Sequence, residues 1–255
     1  MGKIVSIVNQ KGGVGKTTTA VNLAAGLGLA GKKVLLVDAD PQGNSTSGFG
    51  INKKEVVFSS YDLLIGSQKA EVVIVDTTFK NISVAPASMD LAGAEVELIS
   101  IDQREQQLKR SLSLVREKFD YILIDCPPSL GLITINALTA CDTVLVPLQC
   151  EYYAMEGLSQ LMASVRQIKR LYNGGLELEG VLLTMYDARL NLTHQVEEEL
   201  KKFFANKLYK TTIPRAVRLS EAPSYGMPIQ YYDKRSKGAK AYDELAKEFI
   251  KRNRG

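Results

Sequence analysis

The sequence predicts a doubly wound α/β fold, with one mostly parallel sheet flanked by helices. Three observations predict it. Short apolar runs that suit buried strands alternate with longer segments of helical period. A glycine-rich turn joins the first such strand to the first helix. Strand–helix alternation resumes after each irregular stretch, so the 255 residues read as a single domain, 1–255.

The first strand is expected around residues 4–8 and the first helix over 17–30, with Gly31 where a C-cap glycine belongs. The second strand, 33–37, ends at Asp38-Ala39-Asp40 and completes a βαβ unit. Further strands are expected at 81–84, 121–124, 143–146, 178–184 and 208–213. Helices are expected at 89–99, 103–118, 153–171, 193–204 and 239–250. Segments 41–56 and 214–238 are rich in Gly, Pro, Ser or Asn and read as irregular.

Composition is that of a globular chain with a substantial core, 45% apolar and 24% charged. The three cysteines, Cys126, Cys141 and Cys150, form no C-x-x-C pair and read as free buried thiols. A single histidine, His194, argues against Ser-His or Cys-His catalysis and His-rich zinc sites. It is expected on a helix surface. The N-terminus runs straight into a strand without a signal-peptide apolar region, and no apolar stretch approaches the ~20 residues a spanning helix needs. A cytoplasmic protein is expected. The net charge of +4 is unevenly placed: residues 185–255 hold 15 Lys and Arg against 9 Asp and Glu. A polyanion is a candidate partner for that part.

The chemistry concentrates in Lys11-Gly12-Gly13-Val14-Gly15-Lys16-Thr17-Thr18. Glycines keep side chains out of a strand-to-helix turn, so backbone N–H groups can face phosphates at a helix N-terminus. Lys16 is expected to reach the β- and γ-phosphates, and the Thr17 hydroxyl to ligate Mg²⁺. The strict pattern G-x-x-x-x-G-K-[ST] is not met, because Gln10 stands where the first glycine belongs. A second lysine, Lys11, heads the loop instead.

Two acidic positions stand at strand ends, where doubly wound folds place their ligands. Asp125 follows Tyr121-Ile122-Leu123-Ile124 in the Walker B arrangement and is the expected magnesium acid. Asp40 is expected to position and polarise an attacking water, since an aspartate near water is a weak base. Asp38 has two open readings: support of the magnesium shell, or a structural role in the turn.

These residues resemble the ParA/MinD family of deviant Walker A ATPases, specifically its chromosome-partitioning ParA branch. The loop 11–18 resembles the deviant Walker A motif, 38–44 the second motif and 124–128 the Walker B motif. Segments 151–158 and 218–223 extend the resemblance over nearly the whole chain. The resemblance implies a P-loop NTPase fold of the deviant Walker A type, with ATP and Mg²⁺ as ligands. It implies an ATP-state homodimer in which Lys11 reaches the partner's phosphates, making Lys11, Lys16 and Asp40 the catalytic set. It places the adenine pocket at 214–217, with Pro214 and Ala216; relatives often carry Asn where this chain has Ala216. It assigns Arg189 and Arg218 to DNA binding without sequence preference. It implies a ParB-type partner that stimulates hydrolysis, and a cytoplasmic, nucleoid-associated protein.

A MinD-like membrane-positioning ATPase is the alternative. Such proteins use a C-terminal amphipathic extension. Here Tyr242, Leu245, Ala246, Phe249 and Ile250 share one helical face, expected to be core, and only the basic segment 251–255 follows.

Overall fold

The computed structural model describes residues 2–253. Strand β1 (Lys3–Ile7) leads through the glycine-rich loop into α1 (Lys16–Leu29) and back to β2 (Val34–Asp38). Short elements follow: α2 (Asn44–Gly48), α3 (Ser60–Ile65), α4 (Ala70–Val73), β3 (Val75–Asp76) and β4 (Ile82–Ala85). Next come α5 (Leu91–Glu97), α6 (Gln107–Ser113), β5 (Tyr121–Asp125), α7 (Leu132–Ala140) and β6 (Thr143–Gln149). The last part holds α8 (Ala154–Leu171), β7 (Glu177–Thr184), α9 (Asn191–Phe204), α10 (Val217–Glu221), α11 (Ile229–Tyr232) and α12 (Lys237–Arg252).

Among the described residues the strands form one seven-stranded sheet, ordered β3-β4-β2-β5-β1-β6-β7. Every pairing is parallel except β3 with β4. Side chains alternate between two cores. Ile4, Leu35, Val37, Ile122 and Ile124 enter one; Val5, Ile7, Val34, Leu36 and Leu123 enter the other. Both faces are covered, as a parallel sheet requires. This is the predicted fold.

Helix α1 lies in the second core and is buried nearly all round, with Ala20, Leu23, Ala24 and Leu27 fully inaccessible. It packs beneath α12, whose Tyr242, Leu245, Ala246 and Phe249 are buried in the same core. Polar bonds fix the contact: Thr19 and Tyr242 share a hydroxyl hydrogen bond of 3.2 Å. Asn22 Oδ1 accepts from Ile229 N at 2.7 Å, and Gln230 Nε2 donates to the Asn22 carbonyl at 2.9 Å. The apolar face of 239–250 is therefore core, with Ile250 half-buried at its edge. Of the basic segment 251–255, Arg254 and Gly255 lie outside the described residues.

Several expected elements differ. No strand forms over 208–213. Val181 N donates to Lys207 O at 2.8 Å, Tyr209 N to Val181 O at 2.9 Å, and Ile213 N to Leu183 O at 2.8 Å. Between them the Glu248 carboxylate accepts from Lys210 N (3.0 Å) and Thr211 N (2.9 Å), which breaks the ladder beside β7. The helix expected over 103–118 is α6 between two 3₁₀ turns, Arg104–Gln106 and Arg116–Lys118. Irregular segment 41–56 contains α2, and 214–238 contains α10 and α11. Helices α3, α4 and α7 and the edge strand β3 were not anticipated. Cys126 and Cys141 are buried and Cys150 half-buried, all free thiols as expected. Burial pushes Cys141 up to about 12 and Cys150 up to about 11, away from thiolate chemistry. His194 is exposed on α9.

Candidate nucleotide site

The loop after β1 takes its shape from backbone constraints. Gly13 and Gly15 have φ of +75° and +84°, a region that costs an L side chain about 1–2 kcal/mol. Three tethers hold the loop against neighbouring strand ends. Lys11 N donates to Asn9 Oδ1 at 3.0 Å, and Asn9 Nδ2 donates to Pro147 O at 2.7 Å. Thr184 Oγ1, at the end of β7, donates to Val14 O at 2.8 Å. Thr17 and Thr18 follow in the first turn of α1.

Lys16 is only 7% exposed. Its Nζ donates to Lys11 O at 3.1 Å. Burial lowers its pKa, opposed by the nearby Asp125 and Asp40 carboxylates. Such an ammonium gains from an incoming anion. Lys11 is more open, its side chain 51% exposed, and is ion-paired with Glu151 just after β6.

Parallel register sets Asp38 of β2 directly beside Asp125 of β5. Both are fully buried. Burial raises both carboxyl pKa values; a carboxylate neighbour adds to the effect at each, Asp38 at Asp125 and Asp40 at Asp38. Consecutive hydroxyls on α2 oppose it. Asp38 Oδ2 accepts from Thr46 N and Thr46 Oγ1, each at 2.7 Å, while Oδ1 accepts from Asp40 N at 3.3 Å. Asp125 Oδ2 accepts from Ser45 Oγ at 2.7 Å. Asp125 Oδ1 is buried and has no hydrogen-bond partner. Asp40 is 8% exposed, and its Oδ1 accepts from Gln42 N at 2.9 Å. Of the two readings open for Asp38, the geometry favours the structural one, because its oxygens are already engaged in holding the turn and α2.

Among the described residues no group of three or more His, Cys, Asp or Glu gathers to hold a metal unaided. Magnesium bound with a nucleotide does not need one; a carboxylate or two, phosphate oxygens and water suffice. The unpartnered Asp125 Oδ1 fits that chemistry, with the Thr17 hydroxyl close enough to favour the charged carboxylate.

Beside the loop opens a mainly apolar cavity of about 470 Å³, a size that suits a small-molecule ligand. Pro214, Ala216 and Met185 line it together with Gly15, Thr18 and Tyr242. The structure thus brings the predicted 214–217 segment to the predicted loop. It does not bring Arg189 or Arg218 there. Arg189 is 88% exposed and paired with Asp187 at 2.7 Å; Arg218 pairs with Glu221 at 2.7 Å and Asp233 at 3.7 Å. Arg189 holds the Asp187 carboxyl down at about 2, with a further contribution from Arg215. Ser45, Thr46 and Thr184 also shape the site, and none of them lies within a motif of the sequence. The first two directly follow motif 38–44, where hydroxyls beside acidic strand ends were visible.

A phosphate loop between β1 and α1, with acids ending the neighbouring strands β2 and β5, defines a P-loop nucleoside-triphosphate-binding protein. A family model described as an AAA domain matches residues 2–178. The sporulation initiation inhibitor protein Soj of Bacillus subtilis is 60% identical over 97% of this chain and 98% of its own length. The chromosome partitioning protein ParA of Myxococcus xanthus is 50% identical over 99% of this chain and 89% of its own. A crystal structure of cobyrinic acid a,c-diamide synthase from Mycobacterium smegmatis, with bound ADP and magnesium, superimposes with a TM-score of 0.85. It is 36% identical and covers 98% of this chain and 95% of its own. The chain belongs to the ParA/Soj family of chromosome-partitioning ATPases.

Proposed function

We propose that this chain is a chromosome-partitioning ATPase, a single ParA-type domain over 1–255, that switches with nucleotide between a monomer and a DNA-bound homodimer. One observation carries the reading: Lys16, Asp40 and Asp125 gather where β1, β2 and β5 end, beside an apolar cavity of nucleotide size. The kinship with Soj and ParA supports it.

The amides of residues 12–18 and the Lys16 ammonium bind the triphosphate. Pro214 and Ala216 flank the base. Thr17 and Asp125 hold Mg²⁺, with Asp38 bracing the strand end behind them. Held there, the metal would supply charge neutralisation at the phosphates. Asp40 orients the attacking water by accepting its hydrogen bond. Lys11 crosses to the phosphates of the partner's nucleotide, in the manner of an arginine finger. Without nucleotide, Lys11 stays paired with Glu151 of its own chain. Arg189 and Arg218 bind DNA phosphates without reading sequence. DNA binding keeps the dimer on the nucleoid in the cytoplasm, and hydrolysis stimulated by a ParB-type protein releases it. The membrane-positioning alternative lacks its device in α12, whose apolar face packs on α1.

ATP hydrolysis measured with and without DNA and a ParB-type protein tests this reading. Slow basal turnover, stimulated when both are present, is expected. Lys16→Ala should weaken ATP binding at least about 100-fold, as loss of a buried charge partner does. Wild-type protein that binds no ATP overturns the proposal.

A further inference from the structure

We infer that Ser45 is a positioning residue for magnesium: its hydroxyl fixes the rotation of the Asp125 carboxylate, so that Oδ1 alone is left free for the metal or its water. The inference rests on the reading of Asp125 as the magnesium acid.

The argument begins with an asymmetry. Helix α2 offers consecutive hydroxyls to two neighbouring buried carboxylates. Thr46 closes its carboxylate: Asp38 Oδ2 takes two donors from it, and Thr46 Oγ1 in turn accepts from Ala87 N at 2.9 Å. Ser45 leaves its carboxylate half open. It gives one donor, at 2.7 Å, to Asp125 Oδ2, while Oδ1 stays buried and unpartnered. An aspartate carboxylate turns easily about its last torsion, which is broad and two-fold. One buried hydrogen bond to an oxygen of that carboxylate removes that freedom.

Ser45 can act this way because its helix is held. Thr46 ties α2 to β2, and Ser45 itself is fully buried. Gly43 N donates to Asp40 O at 2.9 Å, which closes the turn that carries α2 away from the strand. The donor is therefore fixed before any ligand arrives. An orphaned buried oxygen is expensive unless a ligand satisfies it. Here Thr46, the Asp40 amide and Ser45 together leave one of the four carboxylate oxygens, Asp125 Oδ1, without a hydrogen-bond partner.

The test uses Mn²⁺ binding, followed by electron paramagnetic resonance on full-length protein saturated with ADP. ADP affinity in EDTA and thermal unfolding are measured alongside. Ser45→Ala should weaken Mn²⁺ binding about 10- to 100-fold, the usual effect of removing a group that orients a metal ligand. ADP affinity in EDTA should not change. Ser45→Thr keeps the hydroxyl and should stay close to wild type. Unchanged Mn²⁺ affinity in Ser45→Ala, an equal loss of metal-free ADP affinity, or a Thr variant as impaired as Ala overturns the inference. Asp125→Asn separates the two levels. If it abolishes Mn²⁺ binding while Ser45→Ala does nothing, the role of Ser45 alone fails. If Asp125→Asn binds Mn²⁺ normally, the assignment of Asp125 fails and that of Ser45 with it.

Discussion

Lys11 and Glu151 form an ion pair within one chain, joining the head of the phosphate loop to the segment just past the end of β6. A Lys11 that serves a partner's nucleotide must first leave Glu151. The pair is half exposed, 51% and 43%, so its hold is modest, about 0–1 kcal/mol. Each dimer breaks two such pairs, so Glu151→Gln is expected to raise the dimer fraction at subsaturating ATP, by at most about 25-fold. Analytical ultracentrifugation across an ATP titration reads it; a smaller dimer fraction would show that Glu151 assists pairing.

Asp40 stands close enough to Lys16 to act on its charge, yet its Oδ1 accepts from Gln42 N and so closes a local turn. Removing the carboxylate leaves the other phosphate-binding groups in place. Asp40→Ala should bind ATP and dimerise while turnover falls by about 100-fold or more, the range of lost positioning of a reacting group. Size-exclusion chromatography with ATP should show a persistent dimer. A monomer under those conditions contradicts the assignment.

Arg189 and Arg218 already have acidic partners, so DNA must compete with Asp187 and with Glu221. Charge reversal at either position should weaken DNA binding and flatten its salt dependence. Each lost phosphate contact lowers the slope of log K against log salt by about 0.9. Neither residue lines the nucleotide cavity, so ATP affinity should hold. Fluorescence anisotropy over a salt series decides; a variant with the wild-type slope rules its arginine out.

Glu179 anchors both ends of the chain. It accepts from Lys3 Nζ at 2.6 Å, Thr143 Oγ1 at 2.8 Å, Asn253 Nδ2 at 2.8 Å and Tyr209 Oη at 3.2 Å. Burial alone would raise its pKa; Lys3, Asn253 and Thr143 bring it below the usual value. The folded pKa thus lies under the unfolded one. The stabilisation is complete above the unfolded carboxylate range and is lost as pH falls through the folded pKa. Glu179→Gln should cost about 1–3 kcal/mol near neutrality. Its melting temperature should fall less than that of wild type on acidification to about pH 4. Parallel curves for the two proteins contradict this.

What could be read in advance was what local chemistry dictates. The loop was legible because its backbone demands glycine at 13 and 15. Strands β1, β2 and β5 were legible because burial on both faces makes them largely apolar runs, with β2 and β5 ending in acids. The rest depends on distant partners. Helix α2 is a polar Asn-Ser-Thr-Ser-Gly stretch, and two buried carboxylates give its hydroxyls something to bind. Helix α7 is buried almost all round, so it has no amphipathic period to detect. The 208–213 strand was disrupted by Glu248, far along the chain. Helix α3 was readable: Ser59 and Asp62 form a capping box. In the site, the lysines and acids announced themselves by type. Ser45 and Thr46 did not, because a serine or threonine after a turn has many ordinary uses.

The contact between α1 and α12 also sets an order of events during synthesis. Thr19 and Tyr242, which share a hydrogen bond, are 223 residues apart. A chain still on the ribosome displays the whole phosphate loop early, but Leu23 and Leu27 lack their cover until α12 has emerged. Such uncovered apolar surface is prone to aggregation. A chain truncated before α12 carries the phosphate loop but leaves the face of α1 that packs on Tyr242 and Ala246 uncovered.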